Sequence, residues 1–229
     1  MENHILNLPQ IKVTFSYAKL SSEIILVTGG RQPSFDWFNQ MAKARQIICV
    51  DHGIDFCRAN NIAPNFLIGD FDSAHNDSIQ WALNNNVKIE RHPVDKDFTD
   101  TQLALNQIDI NNFAIITGVF GGRLDHLYST LFTCANSQIK NCLADETETV
   151  IFLNSGENAK IEFHKKPFAL SLLPMSETCE GVMINGVHWL LNSATLKQAS
   201  PTAISNRVES SLVNISISSG NLAIYCNFT

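Results

Sequence analysis

From Ile24 onward, short apolar, β-branched runs alternate with stretches whose apolar residues recur at helical spacing, and that alternation leaves few folds open. The strand-like runs are Ile24–Thr28, Ile47–Val50, Phe66–Gly69, Val87–Arg91 and Phe113–Thr117. Between them the spacing predicts helices over Phe35–Gln46, Ile54–Asn60 and Asn76–Asn85, the last burying Ile79 and Leu83. Another helix starts at Thr99, which has the capping-box spacing to Gln102. The helix after Phe113–Thr117 carries Leu124, Leu127, Tyr128, Leu131, Phe132 and Ala135 on one stripe. The expectation is an α/β domain with a Rossmann-like, mostly parallel sheet. In such sheets ligands lie beyond the carboxyl ends of the strands. The segments there are Gly29-Gly30-Arg31, Asp51-His52-Gly53, Gly69-Asp70-Phe71-Asp72, Asp97 through Asp100 and Gly121 through Asp125, so the acids and glycines fall on one edge.

Beyond Cys142 no helical stripe separates the strand-like segments, and turn signals recur instead. Ile215 and Ile217, then Leu222 and Ile224, alternate about Ser219-Gly220-Asn221 in the manner of a hairpin. This predicts a C-terminal all-β domain, a sandwich or barrel. The expected divisions are an N-terminal extension at 1–20, an α/β domain at 21–148 and a β domain at 149–229. Within the extension only Ile11–Tyr17 alternates, and weakly.

A net charge of -6 gives no basic surface for nucleic acid. The apolar runs are too short to span a bilayer, and Met1-Glu-Asn-His lacks the start of a signal peptide, so a cytoplasmic location is expected. The six cysteines show no CxxC spacing and the seven histidines no HxxxH pair, which predicts reduced core thiols and no zinc site.

Asp70 and Asp72 stand two apart at a strand end, so both point the same way if the chain stays extended through Phe71. Two carboxylates held that close need a cation or a proton, and oxygen ligands suit Mg²⁺. The plainer alternative is a turn in which Asp72 and Ser73 cap the following helix. An acidic, glycine-flanked edge suits a polyphosphate bound through Mg²⁺, with Asp97 or Asp100 joining the ligands. Gly29 through Ser34 lacks the ending of a Walker A loop. Lys96 and Arg123 are then the candidates for holding phosphate oxygens. Against this, Asp100 could serve only a helix's first turn, and Arg123 could simply pair with a nearby carboxylate.

Three strings, GDFDS at Gly69–Ser73, KDFTD at Lys96–Asp100 and GGRLDH at Gly121–His126, together resemble thiamine pyrophosphokinase. Gly186-Val-His-Trp189 and Ser205-Asn206 resemble that family's C-terminal segments. The resemblance implies transfer of pyrophosphate from ATP to thiamine, giving thiamine diphosphate and AMP. It also implies Mg²⁺ dependence and a homodimer with thiamine bound between subunits. Carried onto this chain, Asp70, Asp72 and Asp97 are the expected metal ligands, Asp100 joins them as a catalytic residue, and either Asp97 or Asp100 accepts the hydroxyl proton. Asp51, Lys96, Thr99, Arg123 and Asp125 are expected around the ATP phosphates, and Ser205, Asn206 and Trp189 around thiamine. His52, where a small residue is usual, and Arg207 depart from the family pattern. The rival readings are another Mg²⁺-dependent phosphohydrolase or nucleotide-sugar transferase on a similar scaffold, and a thiamine-binding protein without activity.

Overall fold

Unbroken apolar runs are what strands covered on both faces require, and the chain supplies them in β3 (Ser22–Val27), β4 (Gln46–Val50), β5 (Phe66–Gly69) and β7 (Asn112–Thr117). Successive residues Ile25, Leu26 and Val27, and Phe113 through Ile116, are fully buried although they point to alternate faces. With β6 (Lys88–Arg91) and β8 (Lys140–Ala144), these strands form a parallel array in the order β8-β7-β3-β4-β5-β6. Helices α1 (Phe35–Ala42), α2 (Gly53–Ala59), α3 (Asn76–Asn84), α4 (Asp100–Asn106) and α5 (Leu124–Ala135) make the crossovers. The computed structural model describes residues 2–229 and is a mixed α/β chain in which strands predominate.

The chain divides into two units. The parallel array lies in Ser21–Thr133 with Ser137–Asp145. The other unit joins Leu20 and the residues before it to Cys134–Asn136 and Glu146–Thr229. There β1 (Asn3–Asn7), β2 (Ile11–Ala18), β10 (Asn158–Phe163), β14 (Leu212–Ser216), β12 (Thr178–Asn185) and β13 (Leu191–Lys197) pair antiparallel in that order. β11 (Ala169–Pro174), β15 (Leu222–Asn227) and β9 (Glu148–Leu153) form a second antiparallel ladder in the unit. In β1, β2 and β10 buried residues alternate with exposed or half-buried ones, as expected of strands covered on one face.

Four expectations change. The stretch expected as an extension supplies two strands, β2 pairing with β10 from Phe15–Ala159 to Ile11–Phe163. The first helix stops at Ala42 instead of Gln46, because Lys43 is extended at ψ 120° and Ala44 then takes φ 59°, a turn that leaves the helical path. The turn at Ser219-Gly220-Asn221 is a corner and not a hairpin: β14 pairs with β10 and β12, whereas β15 pairs with β11 and β9. Gly220, at φ 101°, gives the backbone that corner. Lastly, α3 buries Ser78 and Ala82 and leaves Leu83 exposed, while of the α5 stripe only Ala135 is buried. Leu124 and Tyr128 remain 78% and 63% exposed.

Candidate active site

The strand order fixes where a cleft can form. From β3 the chain steps outward through β4, β5 and β6, then returns to β7 on the other side of β3. Connections diverge there, and beyond the carboxyl ends of β3 and β7 a crevice opens. The two loops at this point are tied together. Gly30 N donates to Gly118 O at 2.5 Å, Arg31 N to Phe120 O at 2.6 Å, and Thr28 Oγ1 to Gly118 O at 2.6 Å. A Cβ on Gly30 would stand 2.5 Å from Gly118 O, and one on Gly118, at φ +74°, 2.3 Å from Thr28 O, so neither loop tolerates a side chain. Arg31 is braced by Asp145, with Nη2 2.6 Å from Oδ2. A cavity of about 640 Å³ lies here, lined among others by Thr28, Gly30, Asp51, His52, Asp100 and Arg123.

Asp51 follows β4 and turns its carboxylate across the end of β5. Its Oδ1 accepts from Asp70 N at 3.1 Å and Phe71 N at 3.3 Å. Gly69 is required beneath it: a Cβ at φ +149° would lie 1.7 Å from Asp51 Oδ1. Asp70 follows β5 and Asp100 opens α4, where Thr99 and Gln102 form the expected capping box. One carboxylate oxygen each from Asp51, Asp70 and Asp100 lies within 4.8 Å of the other two. Lys96 reaches into this group, with Nζ 2.7 Å from Asp70 Oδ2 and 3.1 Å from Asp100 Oδ2.

One ammonium cannot neutralise three carboxylates, and the titration behaviour reflects this. Burial, then the Asp100 charge, push the Asp51 carboxyl up to about 7, partly offset by its bond from Phe71 N. Asp70 is also penalised by burial, but hydrogen bonds from Lys96 and Asp72 N outweigh that and hold it below the usual carboxylate range. Lys96 loses solvation too, and its bonds to Asp70 and Asp100 still raise it. Asp100 Oδ1 is buried and has no hydrogen-bond partner among the described residues. Three hard oxygen donors, an excess of negative charge and an unpartnered acceptor fit a divalent cation such as Mg²⁺.

Asp72 and Asp97 stand outside this group, both exposed. The same-face argument for Asp70 and Asp72 requires an extended Phe71, but Phe71 takes φ 64°. The chain turns there, and Asp72 contributes its N–H to Asp70 Oδ1 at 3.1 Å. Asp51, in the cluster, and Phe71, next to Asp70, are both non-glycine residues at positive φ, a conformation that costs about 1–3 kcal/mol each. Arg123 lines the cavity but is paired with Asp125, Nη2 to Oδ2 at 2.5 Å, both well exposed. His52 also lines it, its Nδ1 3.0 Å from both Ser73 O and Asp55 Oδ2. Thr28 is a wall residue that no charge or motif announces; its signal in the sequence is only its position after an apolar strand.

The β unit holds a second cavity, of about 300 Å³, lined by Leu172, Trp189, Leu191, Leu196, Ile204 and Asn206 among others. Trp189 and Asn206 therefore come together here, with Trp189 55% exposed. Ser205, adjacent in sequence, takes φ 57° and donates its N–H to Ser171 Oγ at 3.0 Å. Asn206 Oδ1 accepts from Trp189 N at 3.0 Å, and its Nδ2 donates to Trp189 O at 2.7 Å. The Arg207 guanidinium lies over the Trp189 ring, 5.4 Å from its centroid.

Residues 38–144 match the family model for the thiamin pyrophosphokinase catalytic domain, and residues 158–222 the model for its vitamin B1 binding domain. No curated protein sequence matches the chain. The fold is similar to that of thiamine pyrophosphokinase from Bacillus subtilis, at TM-score 0.76 and 24% identity over 91% of this chain and 100% of that one. The enzyme from Geobacillus thermodenitrificans gives TM-score 0.76 and 23% identity over 90% and 97% of the two chains. The one from Candida albicans gives 0.75 and 16% over 91% and 89%.

Proposed function

The chain belongs to the thiamin pyrophosphokinase family and is a pyrophosphoryl transferase acting on thiamine, and from that premise we propose how its two cavities divide the reaction. The parallel unit, which we read as Rossmann-like, takes ATP in the crevice between β3 and β7. The β unit takes thiamine beside Trp189. The observation that carries the first assignment is the meeting of Asp51 and Asp70, from two strand ends, with Asp100, from the start of α4, beside a glycine-walled cavity.

Asp51, Asp70 and Asp100 are the residues that would hold Mg²⁺, which when bound offsets triphosphate charge and polarises the phosphorus under attack. Lys96 and Arg123 then face the non-bridging oxygens, each exchanging a carboxylate partner for phosphate. The thiamine hydroxyl oxygen forms a bond to the β-phosphorus while the bond from that phosphorus to the α–β bridging oxygen breaks, and AMP leaves. The hydroxyl proton goes to a carboxylate. Asp100 is favoured over Asp97 because it lies beside the cavity, whereas Asp97 is exposed. Asp72 and Asp97 are rim residues in this reading. We further propose a homodimer, supported by the apolar residues Leu124 and Tyr128 of α5 left uncovered on the single chain. Six buried cysteines, none in a disulfide among the described residues, support a reducing, cytoplasmic setting.

The test is product identification after incubation with ATP, Mg²⁺ and thiamine. AMP with thiamine diphosphate is the expected outcome. ADP or inorganic phosphate would replace this reading with a phosphohydrolase or a different kinase.

A further inference from the structure

The segment that presents Trp189 has little structure of its own. Between β12 and β13 it is held by an isolated bridge from Val187 to Val208 and by His188 N donating to Arg207 O at 2.9 Å. Trp189 itself has its peptide N–H and C=O satisfied by one side chain, Asn206. A primary amide offers two acceptor lone pairs and two N–H groups. In Asn206 both lone pairs are engaged, by Trp189 N and by Arg207 N at 2.9 Å, and one N–H is engaged by Trp189 O. Three of its four bonding positions are thus spent on backbone. The Asn206 backbone is in turn fixed to β11, with N to Leu170 O at 2.7 Å and Leu170 N to Asn206 O at 2.9 Å. A side chain committed in this way has no acceptor left to offer a ligand.

We infer that Asn206 is a positioning residue for the acceptor substrate: it sets the peptide of Trp189, and the Trp189 ring, which lines the cavity, meets the substrate. This departs from the direct contact with thiamine that sequence resemblance assigns to Asn206. It rests on the thiamine reading of this cavity. Arg207 over the ring face and His188 against its edge, centroids 4.7 Å apart, hold the indole once its peptide is set.

A double-mutant cycle on the full-length chain separates the possibilities, with the Michaelis constants for thiamine and ATP and the thiamine dissociation constant by calorimetry as readouts. Asn206→Ala is expected to weaken thiamine about tenfold by releasing the Trp189 peptide, and Trp189→Ala about tenfold by removing the ring itself, with ATP unaffected in both. The double variant is expected to be no weaker than Trp189→Ala alone. Multiplying effects would overturn the inference, because Asn206 would then contact thiamine independently of the ring. Normal thiamine affinity in Trp189→Ala would instead remove the thiamine reading of the cavity. Should Asn206→Ala fail to fold, Asn206→Ser replaces it in the same cycle. It is neutral and too short to bond both Trp189 peptide groups, so an intermediate effect that vanishes in the Trp189→Ala background is expected, and one that persists there would overturn the inference.

Discussion

Asp51 shows how a single side chain carries both cost and use. Its carboxyl ordinarily titrates near 3.8 and is raised to about 7 in the folded chain, by burial first and the Asp100 charge second. A raised acid favours folding in its protonated form, so that contribution is complete below pH 4 and is lost as the pH climbs through 7. Asp51→Asn keeps an oxygen for the Asp70 and Phe71 amides while removing the charge. In the ligand-free protein it should melt higher than the parent at pH 8, with a flatter melting profile between pH 4 and pH 8, and lose nearly all turnover. Scanning fluorimetry across that range checks the first part, and a melting point below the parent at pH 8 would contradict it. Asp51 is readable from sequence as the acid after a strand, and Asp70 and Lys96 as members of their strings. Asp72 falls outside the cluster for a local reason. Whether two acids two residues apart share a face depends on the φ of the residue between them, and nothing in the letters around Phe71 announces 64°.

Strands and helices are legible in the sequence where burial is two-sided, because a continuous β-branched run fits little except a strand covered on both faces. They are less legible where an element depends on a distant partner. β2 takes its place in the sheet by pairing with β10, more than a hundred residues away in the chain, and its residues alternate in burial because one face of that sheet is covered. Its inward side chains Ile11, Val13 and Phe15 are essentially fully buried, so this is core and not appendage. Val13→Asp should cost about 3 kcal/mol or more by burying an unpaired charge, and removing residues 1–20 should bare the edge of β10 and give insoluble protein. Soluble, fully active truncated protein would show the segment to be dispensable. The α5 stripe carries the opposite lesson: its helical period is correct, but period alone does not say whether the cover comes from the same chain. Replacing both Leu124 and Tyr128 with Glu is expected to turn the proposed homodimer into monomer at micromolar concentration, read by light scattering after size exclusion. An unchanged dimer would place the interface elsewhere.

At the scale of the molecule, each cavity is lined by residues of one unit only. The two substrates should therefore be separable by mutation. Gly30→Val would force the β3 and β7 loops apart, since its Cβ meets Gly118 O at 2.5 Å. ATP affinity should fall at least about tenfold while thiamine affinity stays within about twofold, both measured by calorimetry. Equal loss of both would mean that the distortion reaches the β unit. The alternation of elements announces the crevice, because strand order decides where connections diverge. It does not announce the lacing along the rim. Asp51 grips the amides after β5, Lys96 links the acids after β5 and before α4, and Gly30 grips the loop after β7. The rim is thus held together by the same groups that would receive a ligand. Arrival of a cation becomes a change of partners rather than an ordering of loose chain, and selectivity is set by which newcomer can outcompete an internal ammonium already seated between two carboxylates.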